Sequence, residues 1–209
     1  MKFNNWVPEP WKYLAKQDAQ MLLESSNARA ALAKVKGNKV AIRDHFIVHL
    51  ALATGLRVME IAALNCGDLF LENTPPSLLV RNGKGGKRRV VFFNSALKKH
   101  CGQYLNWKNS IGESIEPDQP LLLSSNTKKY MTTRAIQKAF KRCADNAGLA
   151  ARHSIHNLRH TYACLLLKAS NWNTRLVQKQ LGHSRLSTTQ IYADVMMPDI
   201  KNTLEKLDI

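Results

Sequence analysis

The sequence predicts a mainly α-helical domain that carries one small three-stranded antiparallel β-sheet. Most of the 209 residues fall into segments whose apolar side chains recur at the three- and four-residue spacing of a helix. One stretch, residues 69–93, instead has short β-prone runs around a glycine-rich turn. The hydrophobic share of 44% and the charged share of 22% are typical of a folded globular domain.

The first part of the chain is expected to be helical after an irregular arm. Residues 1–12 contain two of the prolines and are assigned to this arm. A helix is predicted from Lys16 to Ser25, whereas residues 27–39 are ambiguous because a Gly-Asn pair interrupts them. The strongest helical pattern covers about Lys39 to Thr54, and Gly55 is its expected C-terminal stop.

The sheet is expected to follow a short helix that begins near Arg57. The runs Ser77 to Asn82 and Lys87 to Phe93 are β-prone, and the turn composition Gly83–Gly86 lies between them. These features predict a hairpin, and a strand at Leu69 to Leu71 would complete three strands.

Helices are predicted again from about residue 95 to the end of the chain. Thr132 or Thr133 is the expected N-cap of one of them, and Gly148 its terminator. The remaining helical segments are expected at about Ser95 to Asn109, Ile155 to Ala169, Asn173 to Leu181, Ser187 to Val195, and, past Pro198, an amphipathic stretch with Ile200, Leu204 and Leu207.

The charge of the chain indicates a polyanionic partner. Lys and Arg number 31 against 15 Asp and Glu, a net charge of +16. This excess favours nucleic acid first and an anionic membrane surface second. The sequence has no apolar run of a membrane span and no signal peptide, so we expect a cytoplasmic protein. Its four cysteines form no CxxC pair and are expected to be packed, reduced thiols that bind no zinc.

Several common catalytic patterns are missing from the sequence. The turn GKGGKRR lacks the spacing of a P-loop, and the sequence has neither a GxGxxG fingerprint nor a GxSxG elbow. The acidic residues form no DxD or DxE cluster of the kind that metal-dependent phosphoryl transfer needs. His156 and His160 are four residues apart and could share a metal, but core or hydrogen-bonding histidines are the better interpretation. No metal and no cofactor is expected.

Three longer motifs occur in a fixed order. They are TGLRVMEIAAL around Arg57, HNLRHTYACLLL with His156 and Arg159, and LGHSRLSTTQIYADV, in which Tyr192 follows His183 by nine positions. Together with Lys84 at the hairpin tip, they closely resemble the motifs of the tyrosine recombinase (phage integrase) family. The similarity runs from about Tyr13 to Val195 and implies the catalytic-domain fold of that family.

The resemblance implies a transesterification at a DNA phosphodiester. Arg57 and Arg159 would bind the non-bridging oxygens, since guanidinium groups bind phosphate bidentately and stay charged. His183 would donate a further hydrogen bond to these oxygens. Tyr192 would be the nucleophile, and the product a 3′-phosphotyrosine bond.

Two further residues would move protons in this family. His156 is the candidate general base for the tyrosine, and Lys84 would protonate the leaving 5′-hydroxyl. Glu60 matches an acidic position of the first motif, and we expect it to support Arg57. Two positions depart from the common pattern, Asn157 after the first histidine and Asp194 after the tyrosine, but neither is a catalytic position.

Clusters of basic residues are the candidate contacts to the DNA backbone, with plain solvated surface as the alternative for each residue. One cluster lies at the hairpin and a second between Lys128 and Arg142. The candidate contacts are Arg81, Lys87, Arg88, Arg89, Lys128, Lys129, Arg134 and Lys138.

The expected organisation is an arm (1–12), a catalytic domain (13–195) and a C-terminal segment (196–209). The segment either packs into a neighbouring protomer, as in the family, or contacts its own core. A separate core-binding domain is not expected within this sequence, which is either a naturally short protein or the catalytic half of a longer one. If the half is all there is, DNA would be held from one face, weakly and with strong salt dependence.

The resulting hypothesis is an enzyme, a site-specific DNA recombinase of integrase or invertase type, in the cytoplasm with the bacterial nucleoid. It would act on double-stranded DNA as a homo-tetramer on two sites and be a monomer when free. Accessory DNA-bending proteins are further candidate partners. The alternatives are relaxation of DNA in the manner of a type IB topoisomerase, and a DNA-binding regulator that does not cleave.

Overall fold

The computed structural model describes residues 12–125 and 127–182. The predicted helix 187–195, the segment after Pro198 and nearly all of the arm lie outside these residues. Within them the chain forms α1 (Lys16–Val35), α2 (Lys39–Thr54), α3 (Val58–Ala62), β1 (Leu69–Phe70), β2 (Ser77–Val80), β3 (Arg89–Phe92), α4 (Ser95–Ser110), α5 (Thr133–Asn146), α6 (Ile155–Ala169) and α7 (Thr174–Leu181). The predicted class, mainly α with a small antiparallel sheet, is confirmed.

Helix α1 is ten residues longer than its pattern predicts. The ambiguous stretch continues the helix to Val35, and its Ala30 and Ala33 are buried. Alanine has the highest intrinsic helix propensity, which explains why a segment with little apolar periodicity is helical. The Gly-Asn pair ends α1 and starts α2, because the Asn38 side chain accepts a hydrogen bond from the Val40 amide at 2.9 Å.

Helix α2 is the centre of the core. Its Phe46, Ile47 and Leu50 are fully buried, and the helix packs against α1, α4, α5 and α6. All four cysteines are buried and unpaired, as expected. Burial raises the pKa of the Cys101 thiol to about 12, so it stays protonated.

The sheet has the strand order β1-β2-β3, and both pairings are antiparallel. Leu78 lies opposite Leu69 and Val91, and this central row of the sheet faces the core. At the hairpin, the Gly83 amide donates to the Lys87 carbonyl at 3.0 Å, which closes the loop that carries Lys84.

A smaller apolar cluster joins α6 to α7. Tyr162 and Leu167 of α6 pack with Val177 and Leu181 of α7. This packing fixes the C-terminal end of α7 against the first half of α6. Residue Gly182, which follows α7, has a φ of +64° and turns the chain there.

Three half-buried histidines lie together between α2 and α4. The Nδ1 atoms of His49 and His100 are 2.8 Å apart, and the His45 and His100 rings are 4.6 Å apart. Burial and the neighbouring rings lower the pKa of His45 to about 4 and that of His100 to about 3. In residues 12–125 and 127–182, no group of three or more His, Cys, Asp or Glu is arranged to hold a metal ion.

None of the helices in the described part of the chain has the length and apolar content needed to cross a membrane.

Candidate active site

Three residues of the motifs come together where the ends of α2, α6 and α7 meet. Arg57 lies three residues after the end of α2 and is the N-cap of α3, whereas His156 and Arg159 lie in the first turns of α6. Local sequence explains the arrangement: Gly55 has a φ of +62°, which ends α2 and turns the chain back toward α6.

Arg159 is buried, with 3% of its surface exposed, and bonds to two helix ends. Its guanidinium donates to the Gly55 carbonyl at 2.5 Å and to the Leu181 carbonyl at 2.8 Å. These carbonyls lie at the C-terminal ends of α2 and α7, where the helices leave them without intrahelical partners and where their dipoles favour a cation. The charge is therefore held rigidly.

Arg57 is held by the buried carboxylate of Glu60. Its backbone amide donates to Oε2 of Glu60 at 2.8 Å, and its Nη1 to Oε1 at 2.9 Å. The expected support of Arg57 by Glu60 is therefore present. The Arg57 side chain is still 27% exposed, so its guanidinium borders solvent.

Glu60 also binds a second cation. Arg89 donates to both carboxylate oxygens, from Nη1 at 2.7 Å and from Nη2 at 2.9 Å. Burial alone raises the pKa of Glu60, but the hydrogen bonds from Arg89 and Arg57 outweigh burial and hold this pKa below its ordinary value. Glu60 is consequently ionised whenever the protein is folded near neutral pH.

His156 is exposed at the start of α6, beside the two arginines. Partial desolvation of the ring, and then the positive charges of Arg159 and Arg57, lower its pKa. A lowered pKa keeps the imidazole neutral near pH 7, the state in which it accepts a proton. Its ring meets the His160 ring edge to face at 4.5 Å, so the two histidines four residues apart contact each other.

Of the other predicted catalytic residues, only Lys84 lies within the part of the chain that the structure describes. The backbone of Lys84 lies in the turn between β2 and β3. His183 and Tyr192 lie outside the described residues, although Gly182, the neighbour of His183, lies at the end of α7. Their roles stay predictions, as do those of Arg57, His156 and Arg159.

The predicted DNA contacts fall into two groups by exposure. Most of them are exposed, although Nε of Arg81 also donates to Oδ1 of Asp68 at 2.7 Å. Arg89 differs from the rest, because its side chain is only 12% exposed and pairs with Glu60. The exposed ones are Arg81, Lys87, Arg88, Lys128, Lys129, Arg134 and Lys138. Contact of any of them with DNA stays a prediction.

Sequence reasoning missed the part that Arg89 has in the site, although a signal was available. Side chains alternate between the two faces of a strand, so Arg89 shares a face with the buried Val91 and not with the exposed Arg88. A cation on the buried face of a strand needs a carboxylate partner, and Glu60 of the first motif supplies it.

Comparison with known proteins identifies several similar chains. The model of the "Phage integrase family" matches residues 12–198. Tyrosine recombinase XerC of Lactobacillus leichmannii is 37% identical over 161 residues, which are 77% of this chain and 53% of that protein. Tyrosine recombinase XerC of Vibrio parahaemolyticus serotype O3:K6 is 33% identical over 153 residues, 73% of this chain and 47% of that protein. The chain thus spans about half the length of these curated relatives.

The solved structures similar to this chain are also recombinases. The crystal structure of XerA recombinase matches 94% of this chain and 65% of its own, with a TM-score of 0.72 and 26% identity. The structure of XerH site-specific recombinase bound to its difH substrate, a pre-cleavage complex, matches 95% of this chain and 54% of its own, with a TM-score of 0.73 and 25% identity.

Proposed function

The chain belongs to the phage integrase family, and from this premise we propose that it is a site-specific DNA recombinase that cuts and rejoins DNA through a tyrosine. The observation that carries the proposal is the convergence of Arg57, His156 and Arg159 at one point. Two rigidly held guanidinium groups beside a neutral imidazole suit phosphoryl transfer, in which negative charge accumulates on non-bridging oxygens.

The proposed reaction exchanges one phosphodiester for another. The phenolic oxygen of Tyr192 attacks the phosphorus, the bond from phosphorus to the 5′ oxygen breaks, and a 3′-phosphotyrosine forms. A 5′-hydroxyl from a second strand then attacks the phosphotyrosine and releases the enzyme. Because the bond energy is conserved, the exchange needs no nucleotide hydrolysis.

Arg57 and Arg159 stabilise the transition state in this scheme, and His183 adds a hydrogen bond. Preorganised donors act without rearrangement when charge develops. Arg159 fits this requirement because carbonyls of Gly55 and Leu181 fix its guanidinium before DNA binds. Arg57 fits it because Glu60 holds the side chain at one end.

Proton transfer has two partners in this scheme. His156, whose pKa is lowered by its surroundings, accepts the phenolic proton of Tyr192. Lys84, at the hairpin turn, donates a proton to the departing 5′ oxygen. The ordinary pKa of a phenol is about 10, so the adjacent guanidinium charges also help by favouring the phenolate.

The proposed partner is double-stranded DNA, which the exposed basic side chains contact along its backbone. XerH site-specific recombinase, the structural relative above, is bound to its difH substrate in that structure. We propose a homo-tetramer on two DNA sites, a monomer without DNA, and action at the nucleoid in the bacterial cytoplasm with accessory DNA-bending proteins. The same proposal includes a catalytic domain at residues 13–195 and a C-terminal segment at residues 196–209. This segment packs either into a neighbouring protomer or against its own core.

Covalent trapping tests the proposal. Bound sequences are first selected from a random duplex library and then rebuilt as nicked substrates, from which the cleaved fragment diffuses away. The wild-type chain is expected to form a protein–DNA adduct that resists denaturant, and Tyr192→Phe is expected to form none. Relaxation of plasmid without recombinant products would favour the topoisomerase alternative. Selection of a tight site without any adduct would favour the non-cleaving regulator.

A further inference from the structure

Arg89 contacts three segments of the chain, and each segment leads directly to a proposed catalytic residue. These segments are Glu60, which holds Arg57; Gly83, which precedes Lys84; and the end of α7, which precedes His183. Nothing in the proposed chemistry uses Arg89 itself. Its position nevertheless connects parts of the site that are far apart in sequence.

The first contact is the ion pair with Glu60. Arg89 donates to both oxygens of this carboxylate, at 2.7 and 2.9 Å, while Arg57 donates to the same carboxylate at 2.9 Å. Two guanidinium groups thus share one buried carboxylate. Removal of Arg89 would leave Glu60 held by Arg57 alone, and we expect the carboxylate and the Arg57 guanidinium bound to it to shift together.

The second contact is with the base of the hairpin turn. A β-carbon placed on Gly83 would lie 3.2 Å from Nη1 of Arg89 and 2.7 Å from the Lys87 carbonyl oxygen. The backbone that leads into Lys84 therefore passes close to the guanidinium, and a side chain at position 83 would collide with the Lys87 carbonyl and crowd Arg89.

The third contact is with the end of α7. Nε of Arg89 donates to the Gln180 carbonyl at 3.3 Å, and a β-carbon on Gly182 would lie 2.7 Å from Cδ of Arg89. The Gln180 side chain adds two bonds to β3, because it accepts from the Phe92 amide at 3.1 Å and donates to the Phe92 carbonyl at 3.3 Å. The end of α7 is thus held to β3 at two places.

We infer that Arg89 is a positioning residue that sets the hairpin turn, the Arg57–Glu60 pair and the end of α7 in register with one another. The inference rests on the proposed function, since the register matters only if Lys84, Arg57 and His183 act on one phosphate. A planar guanidinium suits this position because it directs donors toward the carboxylate and the Gln180 carbonyl at the same time. Lysine carries the same charge but lacks this geometry.

Substitution of the leaving group separates positioning from simple stabilisation. In a 5′-bridging phosphorothiolate, sulfur replaces the bridging 5′ oxygen of the scissile bond. When the phosphorus–sulfur bond breaks, a thiolate leaves without being protonated, because the pKa of a thiol is about 8.5. A variant that misplaces the general acid therefore recovers on this substrate, whereas a variant that is merely unstable does not.

The experiment compares adduct formation on oxygen and sulfur substrates for the full chain. Arg89→Met is expected to slow cleavage of the oxygen substrate by about 100-fold, the lower end of what general acid catalysis supplies. On the sulfur substrate the part of this loss that comes from a misplaced Lys84 should disappear, as the whole loss should for Lys84→Ala, whereas the part that comes from Arg57 should remain. Arg89→Lys, the charge-preserving variant, should recover in the same way and also covers the case in which Arg89→Met does not fold.

Arg142→Met is the matched control. Arg142 also binds a buried carboxylate with two bonds, both 2.7 Å long, but its partner is Asp44 of α2 and not Glu60. This control should lower the melting temperature and leave the ratio of sulfur to oxygen rates at the wild-type value. The comparison removes the effect of lost stability from the result for Arg89.

If folded Arg89 variants cleave both substrates as fast as wild type, or lose equal amounts on both, the positioning role is wrong while the proposed function stands. If the wild-type chain forms no adduct on either substrate, the proposed function itself fails and the inference fails with it.

Discussion

Acidification should destabilise this fold through the histidines between α2 and α4. The perturbation is a change from pH 7.5 to pH 5.5. In the folded state the pKa values of His45 and His100 are about 4 and about 3, well below the ordinary 6.5. The folded rings therefore stay neutral over this range, whereas the same side chains take up protons in the unfolded chain. The contribution of these neutral histidines to the free energy of unfolding is fully present above pH 6.5, and it is lost as the pH falls toward their pKa values in the folded state.

The magnitude follows from this difference in proton uptake. A fully buried histidine with such a lowered pKa would reduce the free energy of unfolding by about 1.4 kcal/mol between pH 7.5 and pH 5.5. Because the rings are only half-buried, solvent reduces the cost to about 1 kcal/mol each. His45 and His100 together should lower the free energy of unfolding by about 2 kcal/mol. His160, whose pKa burial also lowers to about 4, adds to the loss.

Urea unfolding followed by circular dichroism at pH 7.5, 6.5 and 5.5 measures the loss. His100→Gln should reduce it by about 1 kcal/mol, because glutamine does not titrate. Lys99→Gln is the control, since Lys99 precedes His100 in the chain and lines the cavity beside the same rings but carries no imidazole. Equal pH dependence in His100→Gln and wild type, or a gain in stability on acidification, would refute the reasoning.

Further expected outcomes concern the site and its neighbours. Glu60→Gln should cost about 3 kcal/mol in urea unfolding, because it leaves two guanidinium groups without their carboxylate; a loss below 1 kcal/mol would contradict the role of the buried pair. Gly55→Ala should lower the melting temperature, since its β-carbon would lie 2.4 Å from Cδ1 of Tyr162 and its φ is +62°; Gly102→Ala, which meets no atom within 4 Å, is the control. Arg159→Lys should abolish the covalent adduct in the trapping assay while gel-shift affinity for the selected duplex changes little, and persistent adduct would argue against its role. Lys129→Ala should reduce the log–log salt slope of DNA binding by about 0.9 if Lys129 contacts a phosphate, and an unchanged slope would remove it from the candidates.

Periodicity and local stop signals were sufficient to predict most elements. The bounds of α2 and α6 agree with the expected ones because each has a strong apolar pattern, and glycine closes α2. Apolar periodicity does not predict the full length of α1, because its second half is alanine-rich; the helix propensity of alanine and the packing of α1 against α2 together favour the helix there. Local pattern does not contain that contact.

The candidate site shows the same division. The motifs predict Arg57 and Arg159 as site residues. They do not predict that the Gly55 and Leu181 carbonyls hold Arg159, because every residue has a backbone carbonyl and no residue type marks these acceptors. The sequence predicts Arg89 as a surface cation, because basic residues precede it directly in the chain and these are exposed. Its partner Glu60 is 29 residues away in the chain, and composition does not predict which residues pair over such a separation.

The excess of positive charge around Glu60 has a thermodynamic consequence. One carboxylate there accepts hydrogen bonds from the guanidinium groups of both Arg57 and Arg89, so two positive charges lie beside one negative charge. The guanidinium groups of Arg57 and Arg89 repel each other there, and an anion that binds beside Arg57 reduces this repulsion. Any ligand that binds only the folded state stabilises it by mass action, so inorganic sulfate or phosphate should raise the melting temperature more than chloride at equal ionic strength. By the same reasoning, we expect the scissile phosphodiester, a monoanion, to stabilise the fold when it binds beside Arg57.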